Sequence, residues 1–520
     1  MNMIEKTLQS VVKNPKYILR LIIEGILIGI FAGIVVSFYR FILTSAESTL
    51  YNILSYINGN IYLTCLWLGI LIILGLFVSQ LVKWEPLSSG SGIPQITAEV
   101  KGYLDASWWK NILVKVVGGS ISTLAGLSLG REGPSVQLGG MAAKGVSKIF
   151  KNTKTDEHKF IMTGSGAGLA CTFNAPLAGV IFTLEEINHT FDKTIIFIGL
   201  IAAIIADFIS KIIFGQSTIF NFPNITLSLN YYWLYIVLGL FIGVCGLLYN
   251  IGMIKANDFW AKYNVPLEVK ITLAFFITGI VSLIIPQILA GGHSMIQILE
   301  FSIPPLSILI VLLISKYLLS VLSFSSGTPG GIFFPLLVLG AYIGGIFGAI
   351  VIPIFHLDPM IAYKFIIISM AGMFASTVRA PITGIVLITE MTGSSTSLIA
   401  LIIVSVVAYI IPTIMGNKPI YESLLERILK NNKNDINSYQ SKHSLSEYII
   451  PLKSSFNGKR IKDINLPENT LIVSISRDGE NIIAQDDFKL NFGDELFILM
   501  DSSTYSEDNK IIEQLIYDEK

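Results

Sequence analysis

Gly130-Arg131-Glu132-Gly133-Pro134 lies between two apolar stretches, residues 112–129 and 136–146. An Arg and a Glu at that depth in an apolar sequence are costly and need a reason. The glycines suggest backbone that approaches something closely or departs from helix. Pro134 fits the first turn of a new helix, where its missing N–H is no loss. The stretch therefore reads as a helix N-terminus inside a membrane, with a carboxylate at its mouth.

The rest of the chain agrees with a membrane setting. It has 520 residues, 52% hydrophobic and 14% charged, with mean hydropathy +0.67; soluble domains carry about 25% charged residues. Apolar runs recur at 21–36, 61–82, 195–213, 234–249, 271–288, 306–321, 336–352 and 397–415. Several reach the ~20 residues that a spanning helix needs, and others are shorter or broken by Gly and Pro. The first run is too long for a cleavable signal and has no cleavage pattern. Lys6, Lys13, Lys16 and Arg20 precede it, so the positive-inside rule predicts a cytoplasmic N-terminus, and the expected location is the cell membrane. A net charge of zero gives no argument for nucleic acid. Cys65, Cys171 and Cys245 are far apart in apolar segments and read as packing residues. His158, His189, His293, His356 and His443 have no metal-ligand spacing. They are given no role and no metal is expected. No nucleophile–base pair suggests an enzyme, and no cofactor is implied.

The apolar pattern ends near Met415, and charge becomes dense from about Glu422. Residues 424–430 read as a last amphipathic helix. The expected division is a membrane domain over 1–430, a polar linker over 431–444, and a small α+β domain over 445–520. In that domain, strands are expected at 448–452, 471–476, 481–484 and 495–500, separated by Asn457-Gly458, Asp478-Gly479 and Gly493-Asp494. A closing helix is expected at 511–516.

The membrane part contains an echo. Ala175-Pro176-Leu177-Ala178-Gly179-Val180 followed by Glu185 matches Ala380-Pro381-Ile382-Thr383-Gly384-Ile385 followed by Glu390, at one offset (380 − 175 = 205). Gly130-x-x-x-Pro134 matches Gly331-x-x-x-Pro335 at nearly the same one (335 − 134 = 201). Paired halves with Gly/Pro-interrupted segments point to a transporter whose site lies at the repeat interface.

Four stretches can face an anion: Gly90-Ser91-Gly92-Ile93-Pro94, the opening stretch, Gly330-Gly331-Ile332-Phe333-Phe334-Pro335, and Tyr421 after Gly416-Asn417-Lys418-Pro419. In the first three, glycines precede a Pro that can open a helix. A helix N-terminus offers free N–H groups and about half a positive charge. That attracts an anion without the tight grip of a full cation, as throughput requires. Ser91 and Tyr421 add hydroxyl donors. A carboxylate and a chloride want the same positive site, so Glu132 and an anion displace each other, and protonation lets the side chain leave. Lys115 is a further charge inside an apolar run. It either tunes the local field or pairs with a buried acid.

With GSGIP at 90–94, GREGP at 130–134, GIFFP at 331–335 and Tyr421 in that order, the chain over about 20–430 resembles the CLC chloride channels and chloride/proton antiporters. The resemblance implies an all-α polytopic inverted-repeat fold with broken helices, and a homodimer with one anion pathway per subunit. It implies that Ser91, Tyr421 and the amides of Ile332 and Phe333 hold the central chloride. Glu132 is then the gating glutamate, supported by Gly130, Arg131, Gly133 and Pro134. Glu186 aligns with the internal proton glutamate found in many antiporters and usually replaced in channels, and Glu185 with its more structural neighbour. Serine at 91 goes with chloride preference in this family. The expectation is chloride/proton antiport, with a passive ligand-gated chloride channel as the alternative and fluoride/proton antiport as a lesser one.

Residues 445–505 resemble the TrkA C-terminal domain of regulators of potassium conductance, through Gly458-Lys459-Arg460-Ile461, Leu466-Pro467, residues 472–479 and Gly493-Asp494-Glu495-Leu496. Such domains commonly dimerise, and some bind cyclic di-AMP. The resemblance implies a cytoplasmic regulatory tail, with Arg477, Asn481, Ile482 and Ile483 as candidate ligand contacts, or else a dimerisation module. No cation filter of the carbonyl-loop type is present to support potassium transport.

Overall fold

The structure, a computed structural model, describes residues 15–223, 225–431, 443–468, 470–477, 480–501 and 505–517. Lys6, Lys13, the Asp478-Gly479 turn and most of the expected linker (432–442) lie outside them. The chain divides into two units, of which Leu21–Asn431 is the larger.

That unit is built from helices of unequal length: α1 (Pro15–Ile57), α2 (Ile61–Trp84), α3 (Ile93–Val100), α4 (Trp108–Leu124), α5 (Glu132–Ile149), α6 (Lys154–Phe173), α7 (Pro176–Phe182), α8 (Lys193–Phe214), α9 (Trp233–Lys262), α10 (Leu267–Ile284), α11 (His293–Phe301), α12 (Leu306–Ser325), α13 (Phe333–Phe355), α14 (Ile361–Val378), α15 (Pro381–Thr392), α16 (Leu398–Ile414) and α17 (Ile420–Asn431). A π-helical turn, Thr183–Asn188, extends α7. Among the described residues eight helices are long and apolar enough to cross a membrane. They differ in what they face. The apolar window of α14 is 100% buried inside the protein, that of α2 only 22%. Exposed Phe31, Phe38 and Phe41 on α1 and Ile204, Phe208 and Ile212 on α8 are the surface that lipid would cover.

The echo in the sequence is a physical pairing. Gly130 N–H donates to Gly331 C=O and Gly331 N–H to Gly130 C=O, each at 2.7 Å, an isolated antiparallel bridge between the two repeated motifs. Antiparallel pairing of equivalent residues is what an approximate twofold axis between the halves produces. The bridge extends to the third motif, because Gly330 N–H donates to Gly90 C=O at 3.0 Å. Farther out, Glu185 and Glu390 exchange caps. Glu390 accepts from the amides of Leu177 (3.1 Å) and Ala178 (2.8 Å) at the start of α7. Glu185 accepts from Ile382 (3.1 Å) and Thr383 (2.7 Å) at the start of α15. Each carboxylate satisfies orphan N–H groups and meets the positive end of the other half's helix.

The smaller unit is an antiparallel sheet of order β1-β4-β2-β3, with β1 His443–Ile449, β2 Leu471–Arg477, β3 Glu480–Ile483 and β4 Glu495–Asp501. One helix, α18 (Tyr505–Tyr517), places Ile512 and Ile516 in a core with Tyr448, Ile475, Leu496 and Ile498. The first strand begins earlier than the expected 448–452. His443 and Ser444, read as linker, belong to it, and it pairs with β4 from His443 opposite Asp501 to Ile449 opposite Glu495. It stops before Pro451, which has no N–H to give to a ladder.

Candidate anion and proton site

Three helix starts meet at the bridge. Gly92 takes φ +96° just before α3, so Ser91 is delivered at the end of a sharp turn that only glycine makes cheaply. The starts of α5 and α13 lie on the two sides of the Gly130–Gly331 pair. Pro134 sits at the third position of α5, inside the first turn as expected. Ile332 caps α13 and Phe333 opens it, so their amides belong to the group without intrahelical acceptors. Tyr421 stands on the first turn of α17. Ser91 and Tyr421 are each 2% exposed. Among the described residues neither hydroxyl has a hydrogen-bond partner in the protein. Two buried donors left without acceptors would be costly unless a ligand accepts from them.

Glu132 is wholly buried. Its Oε2 accepts from Phe334 N–H, in the first turn of α13, at 3.3 Å. Arg131 is a distant companion. Its Nε is 4.0 Å from Glu132 Oε1, and neither atom makes a hydrogen bond among the described residues. The carboxylate therefore takes one hydrogen bond from the backbone of the opposite repeat, with the Arg131 guanidinium at the limit of ion-pair distance. Gly133 explains the packing beneath it, since a Cβ there would collide with Ser91 Oγ. Cavities flank the constriction. Ser91 lines one of about 300 Å³, with Lys270 and Arg427 on its wall. Glu132 lines another of about 20 Å³, with Tyr39, Glu47, Arg131 and His293.

Glu186 is 8% exposed and lies on the π-helical turn. Glu185, next to it, points away into its capping role. Tyr421 lies within electrostatic range of both Glu132 and Glu186.

Among the described residues, Lys115 does not pair with a buried acid. It is wholly buried and donates to the carbonyls of Ser88 (2.8 Å) and Gly90 (2.7 Å), clamping the turn that carries Ser91. Lys316 does the same in the other half, donating to Ile288 (2.9 Å) and Ala290 (2.8 Å). Sequence reasoning missed Lys316, although the repeat offset pointed straight to it (316 − 115 = 201). It also missed Lys144, fully buried and bonded to Glu99, Asp105 and the Ala106 carbonyl.

In the tail, Arg477 is engaged inside the unit. Its Nε and Nη2 donate to the two carboxylate oxygens of Asp494 at 2.7 Å, and the guanidinium lies 4.7 Å from the Phe488 ring centroid. Asn481, Ile482 and Ile483 belong to β3, an edge strand, on which Ile483 is 77% exposed. The tail residues lie in a separate unit from Glu132.

Residues 74–413 match the family described as "Voltage gated chloride channel", and residues 445–510 match the TrkA-C domain. The chain is 34% identical over 427 residues to a protein named H(+)/Cl(-) exchange transporter ClcA from Vibrio parahaemolyticus, covering 79% of this chain and 90% of that one. It is 35% identical over 373 residues to the ClcA of Citrobacter koseri, covering 69% and 78%. Among solved structures, a slow cyanobacterial Cl⁻/H⁺ antiporter superposes with TM-score 0.75 at 30% identity, over 80% of this chain and 99% of that one. A CLC-type fluoride/proton antiporter superposes at 0.66 with 22% identity, a likeness of fold alone.

Proposed function

Because the chain belongs to the voltage-gated chloride channel family, we propose that it exchanges chloride for protons across the membrane, with Glu132 as the gate. One observation carries the reading: a buried carboxylate accepts from the Phe334 amide, inside the ring of helix starts that would attract an anion. Chloride entering from the Ser91 cavity would be held by the hydroxyls of Ser91 and Tyr421 and the amides of Ile332 and Phe333. It would compete with the Glu132 carboxylate for positive potential. A proton on Glu132 removes that competition and frees the side chain to swing out. Exchange follows when the same proton reaches the other side. Glu186, buried and within electrostatic range of Tyr421, is the group proposed to pass it on, and its presence favours exchange over a passive channel.

The wider assignment is a homodimer in the cell membrane, with the N-terminus and the tail in the cytoplasm. The tail would regulate transport or hold subunits together. Titration of the full chain with cyclic di-AMP tests the first role; no heat and no thermal shift removes that ligand.

The transport test uses purified protein in liposomes under a chloride gradient. Protons are expected to be driven against their own gradient. Chloride movement without protons, unaltered by Glu186→Gln, overturns exchange. Both fluxes keeping their pH dependence in Glu132→Gln overturns the gate.

A further inference from the structure

The cavity on the far side of Glu132 from Ser91 holds a second titratable group, His293, that the gate and its anion site do not use. It opens α11 after Gly292, whose φ of +101° matches the turn at Gly92 before α3. Lys316 clamps this turn as Lys115 clamps the other. His293 thus occupies, in the second half, the place that Ile93 holds in the first. Its ring is stacked on Phe334 at 4.2 Å between centroids and 15° between planes. Phe334 is also the residue whose amide holds Glu132. Both ring nitrogens are buried and, among the described residues, make no hydrogen bond within the protein. A stacked imidazole fixed in orientation, with neither nitrogen committed, is unlike a histidine kept for packing.

We infer that His293 is a proton carrier between Glu132 and the solution on that side of the membrane. The shared cavity, about 20 Å³, has room for one water. When Glu132 is protonated and released from the anion site, its O–H bond breaks as an N–H bond forms on the unprotonated ring nitrogen. A single water can mediate by giving one proton as it takes the other. The imidazolium then loses a proton to the outer solution, and the reverse sequence loads Glu132.

The surrounding charges suit a shared proton. From α1, Tyr39 and Glu47 line the cavity with the ring, Arg40 acts on it from farther off, where it is bonded to Asn174 and Ser210, and the Tyr51 hydroxyl lies 3.2 Å from that of Ser294 beside it. Arg131 and Glu132 face it from the start of α5, and Lys316 from α12. The cations and the helix start oppose a charged ring, while Glu47 and the ionised Glu132 support it. When Glu132 takes the proton, one of those two supports disappears. Two protons on the pair at once are therefore disfavoured.

The inference rests on Glu132 being the gate, and its test separates the two. Full-length protein is reconstituted, vesicles are sorted to one orientation by capture through the C-terminal tail, and each side is buffered independently. Wild-type exchange is expected to respond to pH on the His293 side, as an imidazole that gains and loses a proton in the cycle requires. His293→Asn should flatten that response and slow exchange about tenfold at pH 7 on that side. The chloride-to-proton ratio and the response to pH on the Ser91 side should be unchanged. His293→Phe keeps an aromatic stack on Phe334 and should behave as His293→Asn does. A side-specific pH profile that survives both substitutions overturns the proton role. Loss of calorimetric chloride binding in both variants overturns it too, by making His293 structural. If Glu132→Gln keeps its pH dependence, the gate reading itself fails, whatever His293 does.

Discussion

The two halves of the membrane unit share a skeleton and divide the chemistry. Gly130 pairs with Gly331, Lys115 has its counterpart in Lys316, and Glu185 exchanges caps with Glu390. These residues are duplicated because they answer needs that both halves have: a close backbone approach, a clamped turn and a capped helix. The residues proposed for transport are not duplicated. At the repeat offset, Glu132 faces Phe333 (333 − 132 = 201), Gly133 faces Phe334, and Glu186 faces Met391 (391 − 186 = 205). On the proposed reading, symmetry would build the positive pocket, and departures from symmetry would make it selective for a direction and a proton. In such a fold, a residue with a mate reads first as structure, and one without reads first as function.

The largest test of that division is Glu132→Gln. Its counterpart position is already an uncharged Phe333, so the skeleton should tolerate the loss. Proton flux in liposomes should fall by a factor on the order of a thousand, about 4 kcal/mol in barrier. Chloride flux should persist, with no pH dependence between roughly pH 5 and 8. In the wild type, acid favours the neutral side chain that leaves the anion site. Chloride flux should therefore rise as pH falls, and the substitution should erase that slope.

Next come the clamping lysines, Lys115→Met and Lys316→Met. Each change leaves buried carbonyls short of a donor, at about 2–3 kcal/mol net, so both variants should melt earlier in detergent by similar amounts. They should part in function. Lys115 clamps the turn that carries Ser91, and its loss should weaken chloride binding by calorimetry. Lys316 clamps the turn at His293, and its loss should leave chloride affinity near the wild-type value. Equal chloride defects in the two would break the distinction between the halves.

Part of this was legible from residues alone. The opening stretch, its echo at Gly331 and the Ala-Pro/Glu echo depend on glycine, proline and charge in apolar surroundings, and such residues stand out in any membrane sequence. The fold followed from them. Lys115 stood out as well, but its partners did not, because backbone carbonyls leave no mark in a sequence. His293 was passed over for a related reason. A single histidine has no spacing to read, and its stack on Phe334 joins residues 41 positions apart (334 − 293). In the tail, the first strand was misplaced because pairing with β4, rather than local apolar pattern, decides its start.

A smaller effect is expected at Gly133. Its counterpart carries the large side chain of Phe334, so the backbone geometry at this position does not by itself exclude a side chain. What excludes one is Ser91, whose Oγ fills the space a Cβ would take. Gly133→Ala should push Ser91 aside and cost about 1–2 kcal/mol, seen as a roughly tenfold weaker chloride isotherm. The double variant Gly133→Ala with Ser91→Gly should recover part of the thermal stability, the Ser91 carbonyl oxygen still lying 2.8 Å from the added Cβ, without recovering chloride affinity. Recovery of both would mean that Ser91 does not touch the ion.

The smallest effect should come from the exchanged caps. Glu185→Gln and Glu390→Gln each keep an acceptor for the helix N–H groups but remove the charge at the helix mouth, at about 1 kcal/mol. Thermal melts should show two modest shifts, with Glu185→Gln somewhat larger because Glu185 also accepts from the Thr383 hydroxyl at 2.8 Å. Coupling should separate them. Glu185 anchors the π-helical turn that carries Glu186, so a looser cap lets the proposed proton group shift. The position after Glu390 is Met391, which carries no proton. A changed chloride-to-proton ratio in Glu185→Gln alone would show one cap doing a structural task in both halves and a functional one in only the first. The same change in Glu390→Gln would mean that coupling depends on general rigidity of the repeat interface, and Glu186 would lose its special claim.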